Sequence, residues 1–158
     1  MDLSLLYAIL FTLAPITELR IGLPIAINFA LKNNISVIFI FFFIVLINIL
    51  LIFFIFFFLD RIHKFLMRLK IYRKSFEFYL DKIQKKVDKF EKRYNEVGFF
   101  ALMLFVAIPL PGTGAWSGCL LSWILGLERK KSIIAIALGV TIAGLIILLG
   151  TLGVISLI

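Results

Sequence analysis

Two ionisable side chains, Glu18 and Arg20, interrupt apolar segments of the chain. If these segments lie in a bilayer, each charge costs on the order of 2.5–3.5 kcal/mol at a helix centre, so an acid and a base there predict a functional site. Residues two apart point to opposite sides of a helix but share a face of extended backbone. Because Pro15 and Pro24 flank the pair, we expect an unwound segment that turns both side chains into one cavity.

The pair supports two roles. Arg20 would hold an anionic head group, and Glu18 would serve as a protonatable switch or as the counter-ion of a cationic substrate. The alternative is an ion pair whose partners neutralise each other and only hold the chain together.

A second interruption contains two prolines. Pro109 and Pro111 each lack a backbone donor and clash with the preceding turn, so a helix arriving from Gly98 must end near Ile108. Broken backbone at membrane depth is tolerated only where protein or water satisfies its polar groups. We therefore predict that this stretch is the tip of a re-entrant hairpin and a candidate binding site.

The residues after these prolines predict an anion-binding turn. Gly112 and Gly114 let the backbone turn without a Cβ penalty, and Thr113 is the predicted N-cap of a helix running through Trp116 to Leu125. The amides of this turn, at the positive end of the helix, suit a phosphate or a carboxylate. For Trp116 we expect packing in the hairpin more than stacking on a substrate.

The composition identifies the environment. The 158 residues are 63% hydrophobic and include 18 Phe, whereas soluble domains are about 45–50% apolar. This is the composition of an integral membrane protein. The single histidine and single cysteine leave no metal cluster to propose, and we predict no cofactor except a coupled proton. The apolar segments contain no Ser/His or paired-carboxylate arrangement, so we predict that the protein is not an enzyme.

The segments predict one all-α membrane domain, 1–158, built as an inverted repeat. The halves of the first broken segment are each about 10–14 residues, too short for a span of ~20 residues. Four residues that break or line the apolar segments are predicted to support the site: Pro15, Thr17, Pro24 and Asn48. The predicted order is re-entrant hairpin 3–31, transmembrane helix 36–59, basic amphipathic helix or helices 60–96, re-entrant hairpin 98–127 and transmembrane helix 132–158.

The positive charges predict the orientation. Of 17 Lys and Arg residues, 12 lie between Arg61 and Arg93. If 98–127 turns back, these residues share a side with the three cations of 128–131, leaving Lys32 alone opposite. The positive-inside rule then places linker 60–96 and loop 128–131 in the cytoplasm and the C-terminus outside the cell membrane. Whether 3–31 re-enters or spans stays open.

The basic linker predicts a partner. A basic amphipathic helix beside a span favours anionic lipid head groups over nucleic acid. The alternative is a coiled-coil seam to a partner protein, because the apolar spacing of the linker is close to a heptad.

Two motifs resemble a known family. Glu18–Ala26 (ELRIGLPIA) and Pro109–Trp116 (PLPGTGAW) are similar to the paired motifs of the "putative small multidrug export protein" family, over essentially the whole chain. That family is in turn distantly similar to DedA-like (SNARE-associated, VTT-domain) membrane proteins. The resemblance implies two inverted re-entrant hairpins that meet in mid-membrane and move lipids or polyprenyl phosphates. The second hairpin here lacks the arginines that the DedA-like arrangement implies.

The sequence and the resemblance together predict a small transporter of an amphiphilic substrate with a midplane site. A drug-like cation would use Glu18, whereas a lipid-linked phosphate would use Arg20 and the glycine-turn amides. The alternatives are a DedA-like lipid or polyprenyl-phosphate scramblase or flippase and a non-transport membrane scaffold. A homodimer would help to enclose the pathway.

Overall fold

A computed structural model describes residues 3–66, 91–110 and 112–157. Six helices and no strands form this part of the chain, which confirms the predicted all-helical class. In chain order they are α1 (Ser4–Leu13), α2 (Glu18–Lys32), α3 (Val37–Leu66), α4 (Glu91–Ala107), α5 (Ala115–Ile124) and α6 (Arg129–Leu157).

Two of these helices are long and apolar enough to cross a membrane. The candidate spans are Val37–Ile62 and Arg129–Ile155, with mean hydropathies of 3.4 and 2.8. Their inner faces contribute fully buried side chains such as Ile44, Ile52 and Ile136. Their outer faces expose large apolar side chains, which is the arrangement that a hydrocarbon solvent stabilises.

The first break is shorter than expected. α1 ends at Leu13 and α2 already begins at Glu18, so the extended backbone predicted between Pro15 and Pro24 is wrong. Pro24 lies inside α2. A proline within a helix removes one backbone hydrogen bond, here the one to the Arg20 carbonyl, and packing of α2 against α1, α3 and α6 retains the helix around it.

α1 and α2 form a tight helical hairpin around Gly22. A Cβ atom on Gly22 would overlap the Thr12 hydroxyl and would lie 2.6 Å from the Ala8 carbonyl oxygen. The Thr12 hydroxyl itself donates to that carbonyl at 2.7 Å. The absence of a side chain at Gly22 therefore sets how closely the two short helices approach.

The second break follows the prediction at its helix ends. α4 ends at Ala107, two residues before Pro109, and α5 covers Ala115–Ile124. α4 packs mainly on α6, whereas α5 packs on both α3 and α6. The two helices beside this break therefore pack more extensively on the long spans than on each other.

Both ends of the second broken segment lie at the same end of the fold. A Cβ on Gly98 would lie 2.9 Å from a methyl carbon of Leu127, so the two ends of this segment, within α4 and just after α5, are neighbours. Beside them, the Arg129 guanidinium donates to Asp60 Oδ1 at 2.8 Å. This joins the end of the first span to the start of the second. The predicted loop 128–131 is wrong beyond its first residue, because α6 begins at Arg129.

The predicted basic helix 60–96 is continuous with α3 and α4 where it is described. Residues 60–66 continue α3, and residues 91–96 begin α4. Residues 67–90, which carry most of its charges, lie outside the described residues.

Candidate functional site

The two breaks in the helices lie against each other. The Trp116 indole N–H, in the first turn of α5, donates to the Leu13 carbonyl oxygen at the end of α1, at 3.1 Å. Two further contacts, from Glu18 and Arg20, join the same two regions across more than 90 positions of sequence. The residues that the sequence singled out in each half of the chain are thus brought together.

Glu18 caps α5. Its carboxylate accepts hydrogen bonds from the backbone N–H groups of Ala115 (3.1 Å) and Trp116 (3.0 Å). The first N–H groups of a helix have no partner within the helix, and the helix dipole favours a negative charge beside them. Glu18 is buried, and its backbone has a left-handed φ of +46°, which few side chains adopt. The predicted anion site at the start of α5 is therefore occupied by an anion of the chain itself.

Gly114 makes this contact possible. A Cβ on Gly114 would overlap the Glu18 carboxylate and would lie 2.7 Å from its Oε1 atom. Gly112 has a different role, since its φ of +88° forms the turn and nothing lies within 4 Å of a Cβ added there. The two glycines of the motif thus serve separately, one for close approach and the other for the turn.

Thr113 connects Arg20 to the end of α4. The Arg20 guanidinium Nη2 donates to Thr113 Oγ1 at 2.8 Å. The Thr113 hydroxyl has carbonyl acceptors at Ile108 (2.6 Å) and Leu110 (2.9 Å). The prediction that Thr113 caps α5 is wrong, because Gly114 is the N-cap residue and makes no side-chain cap bond. The Thr113 hydroxyl instead faces the preceding turn and Arg20.

Glu18 and Arg20 do not form a salt bridge. The salt bridges among the described residues join other partners, Arg129 with Asp60 and Lys131 with Glu128. Glu18 binds the amides of α5, and Arg20 binds a neutral hydroxyl. The Arg20 guanidinium therefore has no acidic group within ion-pair distance in the part of the chain that is described.

The contact lies beside the middle of both long helices, at Asn48 of α3 and Ala143 of α6. Asn48 is fully buried, and its Nδ2 is 3.4 Å from the Thr12 carbonyl oxygen of α1. It lies midway between Val37 and Asp60, about 17 Å from each at ~1.5 Å per residue. Since a bilayer core is about 30 Å thick, this is the depth of its midplane if α3 spans.

A small cavity of about 10 Å³ lies between these charged and polar groups. Its polar lining comes from Glu18, Arg20 and Asn48. Arg20 Nε, a donor, and Asn48 Oδ1, an acceptor, are buried without a hydrogen-bond partner among the described residues. A space of this size holds about one water molecule, so the arrangement leaves no room for a larger guest unless the two breaks separate.

Sequence comparison identifies the family. A family model described as "Putative small multi-drug export protein" matches residues 18–146, from the capping carboxylate through the second break to the second half of α6. The chain belongs to this family. No curated protein sequence and no solved structure matches it. The predicted family is thus confirmed, while the more distant similarity to DedA-like proteins has no support from these comparisons.

The remaining predicted residues take structural positions around the contact. The Thr17 hydroxyl donates to the Phe11 carbonyl oxygen at 2.7 Å and closes the first break. Pro15 is exposed in that break, Pro24 is half-buried within α2, Pro109 is half-buried after α4, and Pro111 lies outside the described residues.

The sequence did not indicate which groups would bind Glu18. They are backbone amides of Ala115 and Trp116, and every residue except proline has such a group. The available signal was a single acid in an apolar segment, together with a glycine turn whose amides suit a carboxylate. An acid buried there requires donors, and an uncapped helix start supplies them.

Proposed function

We propose that this protein exports an amphiphilic molecule across the membrane through the place where its two breaks meet. One observation carries the proposal: the only acid and base of the apolar segments both bind the opposite break, at mid-height of the two candidate spans. Ionisable groups at that depth mark substrate or ion pathways. The family description, an export protein, supports the same class of function.

The proposal includes a topology in which both broken segments re-enter the membrane. α1 and α5 have 10 residues each, about 15 Å of helix against a hydrocarbon core of about 30 Å. The neighbouring positions of Gly98 and Leu127, and the pair between Arg129 and Asp60, support a second segment that enters and leaves on one side. An inverted repeat with a midplane site follows.

In this topology the basic residues lie in the cytoplasm. Linker 60–96 and the cations that begin α6 would share one side, bind anionic lipid head groups, and leave the C-terminus outside the cell membrane. Since each chain supplies only two candidate spans, we include a homodimer in the proposal as a way to enclose the pathway.

The charges of the site favour an anionic substrate. Both oxygens of the Glu18 carboxylate accept backbone hydrogen bonds, so a cationic drug would have to share this anchor with α5. Arg20 has no acidic partner among the described residues and a buried Nε without an acceptor. Guanidinium groups bind phosphates and carboxylates through charge-assisted hydrogen bonds. We therefore propose an amphiphile with a phosphate or carboxylate head, such as a lipid-linked phosphate.

The test is transport in proteoliposomes with three fluorescent probes in parallel: an anionic single-chain lipid, a polyprenyl phosphate and a lipophilic cationic dye. We expect the anionic probes to move and Arg20→Gln to stop them. Lys32→Gln is the matched control, because it removes one positive charge from an exposed position at the end of the same helix. We expect this variant to transport at the wild-type rate.

Each other outcome contradicts a defined part of the proposal. Movement of the cationic dye alone would show that the anion assignment is wrong and that Glu18 is the anchor. Equal movement with and without a pH gradient would identify a scramblase instead of a coupled exporter. Movement of no probe by a folded protein would favour the membrane scaffold.

A further inference from the structure

An apolar groove of about 410 Å³ lies beside the contact between the two breaks. Small-molecule sites usually have volumes of roughly 300–1,000 Å³, so the groove is large enough for a ligand. Its lining comes from the end of α1, one face of α3 and the first turn of α5: Leu13, Ile47, Leu50, Leu51, Phe54 and Trp116.

The chemistry of the groove selects a hydrocarbon. Every lining side chain is apolar apart from the Trp116 indole N–H, and that group already donates to the Leu13 carbonyl. The α3 residues of the lining are on either side of Asn48, at mid-height of the span. A head group placed there would lose its hydration without gaining a partner, whereas an alkyl chain gains contact.

Trp116 contacts both the groove and the charged groups. Trp116 lines the groove, and its backbone N–H donates to the Glu18 carboxylate at 3.0 Å. A molecule whose apolar part occupies the groove therefore contacts a residue, Trp116, that also takes part in the capped start of α5. No other residue lining the groove makes a described hydrogen bond to Glu18 or Arg20.

We propose that the groove binds the hydrocarbon tail of the exported amphiphile while its anionic head binds at Arg20. The inference rests on the proposed function and adds a tail site with named walls. It requires a ligand with an extended alkyl or polyprenyl chain, entering from the side of the bilayer. Leu50 and Phe54, both more than half exposed, then form the rim that the tail crosses.

The test uses the two tryptophans of the chain as reporters. The Trp123→Phe variant leaves Trp116 as the only tryptophan, and Trp116→Phe leaves Trp123, near the other end of α5. The probe is an alkyl phosphate brominated at mid-chain, added to each protein in nanodiscs of unbrominated lipid. We expect saturable quenching of Trp116 at a mole fraction below that needed to quench Trp123, since bound bromine touches the Trp116 ring.

A pair of leucines on α3 supplies the matched variants. Leu50→Phe adds bulk within the groove, whereas Leu46→Phe makes the same change one turn away at a residue of similar exposure, 54% against 57%, that does not line the groove. In the Trp123→Phe background we expect Leu50→Phe to raise the half-saturation mole fraction about tenfold, which corresponds to about 1.4 kcal/mol. We expect Leu46→Phe to leave it unchanged.

Three results would overturn the inference. They are quenching of Trp116 that is no stronger than that of Trp123, equal effects of the two leucine variants, and protection of Trp116 from bromine in a cross-linked dimer. The last would show that a second copy covers the groove. Saturable quenching without liposome transport would leave the tail site standing and reject the exporter. Transport without saturable quenching would reject the tail site and leave the exporter standing.

Discussion

Replacing Gly114 with alanine is the most direct perturbation of the contact between the breaks. The new methyl group would overlap the Glu18 carboxylate, with 2.7 Å to Oε1. The N-cap backbone cannot move freely, because the Gly114 carbonyl accepts the first hydrogen bond of α5 from Gly118 at 2.9 Å. We therefore expect Gly114→Ala to expel the carboxylate from the start of the helix.

The expected loss follows from the two hydrogen bonds that Glu18 accepts. Hydrogen bonds to a charged group contribute about 1.5–3 kcal/mol each, so losing both costs about 3–6 kcal/mol of unfolding free energy. The control is Gly150→Ala in α6, where nothing lies within 4 Å of an added Cβ. Alanine exceeds glycine in helix propensity by about 1 kcal/mol, so this variant should be at least as stable as the wild type.

The measurement is reversible unfolding in mixed micelles, followed by helical circular dichroism as the denaturing detergent fraction increases. A double-mutant cycle isolates the pair. In a Glu18→Ala background there is no carboxylate to displace, so we expect Gly114→Ala to cost less than about 1 kcal/mol more. If Gly114→Ala alone is as stable as the wild type, or its full cost persists without Glu18, the reasoning is refuted.

Substitutions at three further positions test other contacts. Gly22→Ala should lower the unfolding free energy by about 1–3 kcal/mol in the same assay, because its methyl group would overlap Thr12 across the first hairpin. Asp60→Asn should cost less than about 1 kcal/mol, with a smaller cost at high salt, since Asp60 and Arg129 are 45% and 41% exposed. Thr113→Val should slow liposome transport and Thr113→Ser should retain it, because only serine keeps the hydroxyl that Arg20 binds; equal rates would contradict a role for that hydrogen bond.

Local chain chemistry explains what the sequence could predict. The prolines after α4 remove donors at known positions, so the end of α4 and the extent of α5 followed from residue types alone. The cost of charge in apolar surroundings likewise identified Glu18 and Arg20 before any contact was known. Both arguments need only neighbouring residues and the environment that the composition implies.

Contacts between distant residues explain what it could not predict. Pro24 looked like a helix breaker, but packing of α2 against α1, α3 and α6 keeps it within the helix. Thr113 had the best capping side chain next to α5, and Glu18 took that role from 97 positions away. Helix-capping propensity ranks only the residues next to a helix start, so it cannot identify a cap that is supplied by a residue far away in the sequence.

The cap that Glu18 provides for α5 also predicts that the proposed transporter moves a proton together with its substrate. An anion bound at Arg20 would lie near the Glu18 carboxylate, since both line one small cavity, and like charges there repel. Protonating Glu18 removes this repulsion and weakens its hold on α5, so we expect each anion to cross with a proton. In proteoliposomes containing a pH-sensitive dye, wild-type transport of the alkyl phosphate should change the internal pH. Glu18→Gln, of equal size and without charge, should move the anion with no such change. A wild-type flux that leaves the internal pH constant would contradict this coupling.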